Sequence, residues 1–141
     1  MKNVYRQPLL CVMGLCAAVT AQSQTATIER VTVSGSDNGV VVTIDATRPV
    51  TPQAQILHGP DRIVVDLPGA VPAKRLRDIQ LSGALRSVRT ALFTANPPVT
   101  RVVLDLKMPQ RYEISASGNK ILVTVSLAQQ VPSQTDEAEP K

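Results

Sequence analysis

The sequence predicts an all-β domain, a β-sandwich of two similar antiparallel sheets that arose by internal duplication. Apolar and polar side chains alternate with a period of two in many short runs, as in strands that bury one face. Aromatic residues make up only 2% of the chain, so the core is expected to consist of Val, Ile, Leu and Ala. Val and Ile favour strands. Three pairs of segments also repeat along the chain.

Nine runs of alternating residues are predicted to form strands. Gly and Asn tolerate positive φ, and Pro lacks a backbone donor, so a strand ends where these residues cluster. Such clusters occur at residues 36–39, 59–61, 68–69, 96–98 and 117–119. The segment 81–88 has a second interpretation, a short turn of helix. The predicted strands are residues 27–34, 40–47, 54–58, 62–67, 78–82, 87–93, 101–107, 111–116 and 121–127.

The repeated segments fall in the same order in the two halves of the chain. They are residues 42–46 with 102–106, 52–56 with 109–114 after a shift of one position, and 62–67 with 120–125. Each half is therefore predicted to be a three-stranded meander. Two such meanders suggest two similar sheets that pack face to face.

The N-terminus has the pattern of a secretory signal peptide. Lys2 and Arg6 precede an uncharged apolar stretch, residues 9–19, which is shorter than the roughly 20 residues of a membrane-spanning helix. A signal peptide over residues 1–21 with cleavage near Ala21 is predicted; the alternative is a hydrophobic helix docked on the domain. The mature protein is expected to be exported, without stable membrane insertion after cleavage.

The predicted domain, residues 22–128, is mildly cationic. It carries twelve basic and eight acidic side chains, whereas residues 129–141 are predicted to be a disordered acidic tail. A modest positive charge is compatible with an anionic polymer as ligand. The sequence has no Lys/Arg runs with interleaved aromatics, so no nucleic-acid partner is expected.

Two segments, residues 62–69 and 100–106, carry the clearest pattern. Alternation in a strand points the aliphatic residues inward and the charged residues outward, around an exposed Val64 or Val103. Four outward residues are predicted to bind a ligand: Arg62, Asp66, Arg101 and Asp105. The alternative is that they form solvated or cross-strand ion pairs, each worth about 0.2–1 kcal/mol. The inward set is Ile63, Val65, Leu67, Val102, Leu104 and Leu106.

The same segments resemble a known family. Residues 60–69 read Pro-Asp-Arg-Ile-Val-Val-Asp-Leu-Pro-Gly, and residues 100–106 read Thr-Arg-Val-Val-Leu-Asp-Leu; Tyr112, Gly118 and the apolar run 121–125 follow. Over essentially the whole predicted domain, the chain resembles the AMIN domain of periplasmic N-acetylmuramoyl-L-alanine amidases and type IV pilus secretins. The resemblance implies a β-sandwich, export to the cell envelope and targeting to peptidoglycan through exposed motif residues.

The chemistry of these side chains suits peptidoglycan. Arginine binds the carboxylates of stem peptides with two hydrogen bonds, and aspartate accepts hydrogen bonds from sugar hydroxyls or amides. In the predicted domain only Phe93 and Tyr112 are candidates for stacking on a pyranose ring. Tyr112 occupies a strand position at which burial in the core is the commoner outcome.

Catalysis is not expected from this chain. A catalytic zinc needs about three protein ligands, but residues 22–141 contain a single histidine, His58, and no cysteine, since Cys11 and Cys16 lie in the predicted signal peptide. The same shortage excludes a Ser-His-Asp arrangement unless His58 serves alone, and the sequence has no Gly-x-Ser-x-Gly motif and no phosphate-binding glycine loop. No cofactor and no metal are predicted, and His58 is predicted to be a turn or strand-end residue.

The predicted function is that of a non-catalytic envelope module that binds peptidoglycan and localises a partner or complex at the cell wall. The alternative is a protein–protein interaction module, accessory to a type IV pilus secretin or to the division machinery, that adds strands or loops at a sheet edge. The predicted partners are therefore peptidoglycan and an envelope complex of the secretin or amidase type.

Overall fold

The computed structural model describes residues 24–36 and 39–126, which form ten β-strands and no helix. The predicted signal peptide and acidic tail lie outside the described residues. The strands are β1 (Ala26–Ser36), β2 (Gly39–Ala46), β3 (Gln53–Leu57), β4 (Arg62–Pro68), β5 (Ala70–Pro72), β6 (Ile79–Gln80), β7 (Leu85–Ala95), β8 (Pro98–Leu106), β9 (Arg111–Ser117) and β10 (Lys120–Ser126).

The strands form two sheets of five, which confirms the predicted β-sandwich. The first sheet has the order β5-β1-β2-β10-β9, and the second sheet has the order β3-β4-β8-β7-β6. Neighbouring strands are antiparallel except for β1 and β5, which pair in parallel and bring Ala26 beside Ala70. The buried side chains of both sheets form one hydrophobic cluster, so the core lies between them.

The strand order agrees with a duplication, but the two halves are interleaved. Exchanging β1–β4 for β7–β10 converts β1-β2-β10-β9 of the first sheet into β7-β8-β4-β3 of the second. The predicted three-stranded meander within each half is wrong, because β2 and β3 lie in different sheets. Pro49 and Pro52 lie between these strands, and since proline cannot donate to a strand ladder, the chain leaves the first sheet there.

The core consists of aliphatic side chains from the central strands. In β2, β4, β8 and β10 buried positions recur at every second residue, as the period of two predicted. Burial of one such side chain contributes about 1.5–3 kcal/mol, so these strands supply most of the hydrophobic stabilisation. All the inward residues predicted for β4 and β8 are buried: Ile63, Val65, Leu67, Val102, Leu104 and Leu106.

Two local elements differ from the prediction. The strand β5 has no predicted counterpart; Gly69, with φ of 74°, turns the chain so that Ala70–Pro72 runs alongside β1. At 81–88 the alternative of a helical turn is wrong, because β7 begins at Leu85. The backbone there pairs with β6 rather than with itself, which satisfies its hydrogen bonds in the sheet.

A β-bulge occurs at the matching place in each half. The register shifts just before Arg30, which lies opposite Asp45, and just before Ser87, which lies opposite Asp105. A bulge bends its strand and increases the local twist. The two halves therefore share this irregularity as well as their strand order, and in both of them it lies beside an outward aspartate.

Candidate functional site

The strands β4 and β8 lie side by side within the second sheet and bring the four predicted site residues onto its outer face. In their antiparallel register, Arg62 lies opposite Asp105 and Asp66 lies opposite Arg101. Each carboxylate therefore faces an arginine of the neighbouring strand rather than the arginine of its own strand. The four residues form two cross-strand ion pairs, as in the alternative interpretation of the motif.

The ion pair of Arg101 with Asp66 is bidentate. Arg101 donates from Nε to Asp66 Oδ1 at 2.7 Å and from an Nη atom to Oδ2 at 2.8 Å. Hydrogen bonding to Asp66 raises the pKa of Arg101, and the negative charge of Asp66 adds to this, while partial burial opposes it. Two parallel bonds fix the plane of the guanidinium, so Arg101 forms a rigid support on the sheet surface.

The ring of Phe93 stacks on this support. The Cζ atom of Arg101 lies 3.4 Å from the centroid of the Phe93 ring, which is within the range of a cation–π contact. Phe93 lies at a second bulge of β7, between the pairs that Leu92 and Thr94 make with β8. With 54% of its surface exposed, it is a large apolar side chain on a largely polar face. We refer to these three residues as the Phe93–Arg101–Asp66 cluster.

Asp105 is the centre of the second group of contacts. Its Oδ2 accepts a hydrogen bond from Ser87 Oγ at 2.7 Å and one from Arg89 Nε at 3.0 Å, and its Oδ1 accepts from an Nη atom of Arg89 at 3.3 Å. Sequence analysis missed Ser87 and Arg89. Their spacing of two residues in the predicted strand 87–93 places them on one face, but only the pairing of β7 with β8 brings that face to Asp105.

Arg62 approaches the same carboxylate from β4. Its Nε lies 3.1 Å from Asp105 Oδ1, yet this buried N–H makes no hydrogen bond. The side chain of Arg62 is 38% exposed and that of Arg89 is 46% exposed. Two arginines thus share one aspartate and leave an excess of N–H donors at this position, which suits an anionic or carbonyl group of a ligand.

The predicted exposure of the two motif valines is wrong for Val64, which is only 2% exposed. On the outer face it is flanked by Arg62 and Asp66 along its own strand and by Gln55 and Val103 across it. Long polar side chains cover apolar surface with their hydrocarbon stems. Val103 is half-buried, so the surface between the ion pairs is largely covered.

Two shallow depressions flank the ion pairs. One, of about 220 Å³, is lined by the Asp105 group together with the turn before β4: Pro60, Asp61, Arg62, Arg86, Ser87, Arg89, Asp105 and Leu106. The other, of about 250 Å³, lies at the edge strand and is lined by Gln53, Ala54, Gln55 and Asp66. Arg62 and Asp105 line the first depression and Asp66 lines the second, so a ligand bound in either one would contact motif residues.

The remaining predicted residues do not belong to this face. Tyr112 is half-buried and packs against the core, as its strand position suggested. His58 lies in the turn between β3 and β4, as predicted, with its Nδ1 2.8 Å from Asp61 Oδ1. Among the described residues, Phe93 is therefore the one aromatic side chain on the outer face.

The first sheet provides an internal comparison for the motif. Its strands β10 and β2 place Lys120 opposite Asp45, and the two side chains form an ion pair. By strand order this pair matches that of Arg62 and Asp105. On both outer faces, therefore, a cation from the last strand of one half meets an aspartate from the second strand of the other half.

Residues 24–36 and 39–126 contain no group of three or more side chains suited to a metal. Over the same ranges, no helix has the length and apolar character that a membrane crossing requires.

The comparison with protein families identifies a match that covers most of the described residues. The profile of the AMIN domain matches residues 30–125, which include β4, β8 and both ion pairs of the second sheet. AMIN domains are a non-catalytic family, typical of periplasmic proteins and known for peptidoglycan binding and localisation. The comparison with curated proteins found no match. The AMIN profile matches well over half of the 141 residues of this chain, and the chain therefore belongs to the AMIN domain family.

Proposed function

We propose that this domain is a non-catalytic envelope module that binds peptidoglycan and localises a partner or complex at the cell wall. The main support is the meeting of Arg62, Asp66, Arg101 and Asp105 on one accessible face of the second sheet. Membership of the AMIN family supports the same assignment. The accompanying proposal is that residues 1–21 direct export to the periplasm and that the acidic tail follows the domain.

The two kinds of motif residue have different roles in this proposal. Asp66 and Asp105 already accept hydrogen bonds from arginines or Ser87, so they hold the arginines in place. Arg62 and Arg101 donate their remaining N–H groups to carboxylates and carbonyl oxygens of the wall polymer. This division of roles explains how a pattern of ion pairs also forms a binding surface.

Co-sedimentation with purified sacculi tests the proposal. The wild-type chain is expected to sediment with sacculi, and the double variant Arg62→Ala plus Arg101→Ala to remain largely in the supernatant. A matched control is Arg48→Ala plus Arg111→Ala, which removes the same charge at two exposed positions away from the second sheet. Equal sedimentation of the two double variants would exclude the motif arginines from binding.

A second candidate function, docking of a protein partner by strand addition, is supported by the free edges of the sheets. The seven-residue strand β9 (Arg111–Ser117) borders the first sheet, and β3 borders the second. An unpaired edge strand offers backbone donors and acceptors to an added strand. Cross-linking in cells from Ser115, at the β9 edge, would favour this function if it captured a protein while sacculi failed to retain the domain.

A further inference from the structure

At one pair of facing positions the matching strands of the two sheets carry different kinds of side chain. Four residues beyond the shared ion pair, the second sheet has Asp66 opposite Arg101, whereas the first sheet has Thr124 opposite Val41. The same pair of strands forms in both sheets, with the ion pair in one and without it in the other. Pairing of these strands therefore does not require an ion pair at this position, which leaves Asp66 and Arg101 available for another role.

Phe93 is the third member of the Phe93–Arg101–Asp66 cluster, and packing in the core does not explain its position. More than half of its surface remains in water, a larger exposed fraction than that of Ile56, Leu57 or Leu92. One face of the ring rests on the Arg101 guanidinium, and that guanidinium is held in place by Asp66. The rest of the ring is presented to solvent from a rigid support.

The surface next to this ring is polar and able to form hydrogen bonds. Gln53, Asp66 and Arg101 are direct neighbours across three consecutive strands, so about 10 Å separates the first from the last. Gln53 and Gln55 line the depression beside Asp66. Each primary amide offers two donors and an acceptor. An apolar ring on the same sheet face as such amides suits a ligand with a flat C–H face and a rim of hydroxyl and acetamido groups.

We propose that the Phe93–Arg101–Asp66 cluster binds the glycan strand of peptidoglycan, a step that rests on the proposed function. A pyranose ring stacks on Phe93, and the amides of Gln53 and Gln55 form hydrogen bonds with the hydroxyl and acetamido groups of the sugar. Asp66 is a positioning residue that holds Arg101, and Arg101 supports the aromatic ring while its remaining N–H groups donate to a carbonyl oxygen of the ligand. The Phe93 ring is uncharged and has no preference for the carboxylates of a stem peptide, so the ring selects the sugar component.

The test compares three probes: intact sacculi, glycan strands freed of stem peptides by amidase digestion, and soluble stem peptides. The wild-type chain is expected to bind the first two. Phe93→Ala is expected to weaken both interactions roughly five- to tenfold, the effect of losing one aromatic stacking contact. Phe93→Trp is expected to retain binding. Leu92→Ala is the matched control, because this neighbouring side chain is similarly exposed, at 45%.

A second measurement reports on the cluster directly. In an NMR titration with chitotetraose, the Arg101 Nε–H signal of the wild-type chain is expected to shift, because the sugar changes the environment of the stacked ring. The shift is expected to disappear in Phe93→Ala and to persist in Leu92→Ala. Since Phe93 is largely exposed, the alanine variant is expected to remain folded, which its unfolding midpoint checks.

The outcomes separate this inference from the proposed function. Binding of intact sacculi without binding of stem-free strands would overturn the glycan assignment and leave peptidoglycan binding in place. The assignment would also fail if Phe93→Ala bound stem-free strands as tightly as Leu92→Ala. A wild-type chain that binds neither sacculi nor glycan strands would overturn the proposed function together with this inference.

Discussion

Arg101 of β8 donates two hydrogen bonds, of 2.7 and 2.8 Å, to Asp66 of β4 across the outer face of the second sheet. In the first sheet the corresponding residues are Val41 and Thr124. A partly buried ion pair loses hydration energy as it gains attraction, so its net effect on stability is often small. Comparison of the two halves therefore distinguishes residues that stabilise both sheets from residues that are specific to the outer face of one sheet.

Transplanting the first-sheet residues into the second sheet tests this separation. The double variant Asp66→Thr plus Arg101→Val is expected to unfold within about 1 kcal/mol of the wild type, because an apolar or neutral pair replaces the ion pair. Arg101→Val alone is expected to lose about 1–3 kcal/mol, since it leaves a half-buried carboxylate without its donors. Urea unfolding measures both, and a double variant as unstable as the single variant would contradict the argument.

The raised pKa of Arg101 predicts how the ion pair responds to pH. A group whose pKa is higher in the folded protein contributes stability below its unfolded pKa and loses it as the pH rises through the folded pKa. For Arg101 that loss lies above the alkaline range in which the protein can be studied. Arg101→Lys introduces a group with an ordinary pKa of about 10.4. The free energy of unfolding of this variant is expected to fall further below that of the wild type as the pH rises from about 10.4 to about 12.

The comparison of Arg101→Lys with the wild type contains its own control. All other titrating groups are shared, so their effects cancel in the difference between the two unfolding free energies. A difference that stays constant across this pH range would mean that residue 101 contributes no charge-dependent stability.

Shortening a side chain in the aliphatic core is expected to destabilise the protein. Leu104 of β8 is fully buried between the sheets. Leu104→Ala is expected to lower the free energy of unfolding by about 2–5 kcal/mol, through lost burial and the cavity left behind. Leu92→Ala, on the same pair of strands but exposed, is expected to change it by less than about 0.5 kcal/mol. Similar urea midpoints for the two variants would show that the core does not depend on Leu104.

Two glycines of the β1–β2 hairpin are expected to respond differently to alanine. A Cβ atom at Gly39 would lie 2.5 Å from the carbonyl oxygen of Val125, whereas a Cβ at Gly35 would meet nothing within 4 Å. Gly39→Ala must displace backbone of β10 and is expected to cost about 1–3 kcal/mol. Gly35→Ala is expected to be neutral or slightly stabilising. Thermal unfolding measures both; equal melting temperatures would mean that β10 moves away freely.

The strands of this protein were largely predictable because their pattern is local. Alternation along β4 predicted that Ile63 is buried and that Arg62 and Asp66 share the opposite face, and the structure confirms both. The short strand β5 was not predictable in this way. It is three residues long, contains a proline and pairs with β1 only because Gly69 turns the chain toward it.

The sequence predicted which residues form the candidate site but not which of them contact one another. The motif identified both arginines and both aspartates, yet it assigned Val64 to the surface and left out Ser87 and Arg89. Whether an outward residue is covered depends on the lengths of its neighbours across the sheet. Those neighbours are known only when the strand order is known, because β4, β7 and β8 come together across a long stretch of sequence.

The amino-acid sequence by itself determined which side chains of each strand face the core and which face water, because that choice depends on spacing within a few residues. Only the tertiary structure decided which strands became neighbours, since pairing depends on contacts between distant segments that compete for the same edges. Interleaving of the two halves placed Asp66 beside Arg101 and put Phe93 above them. A local pattern of alternating residues thereby became an asymmetric surface on an otherwise symmetric fold.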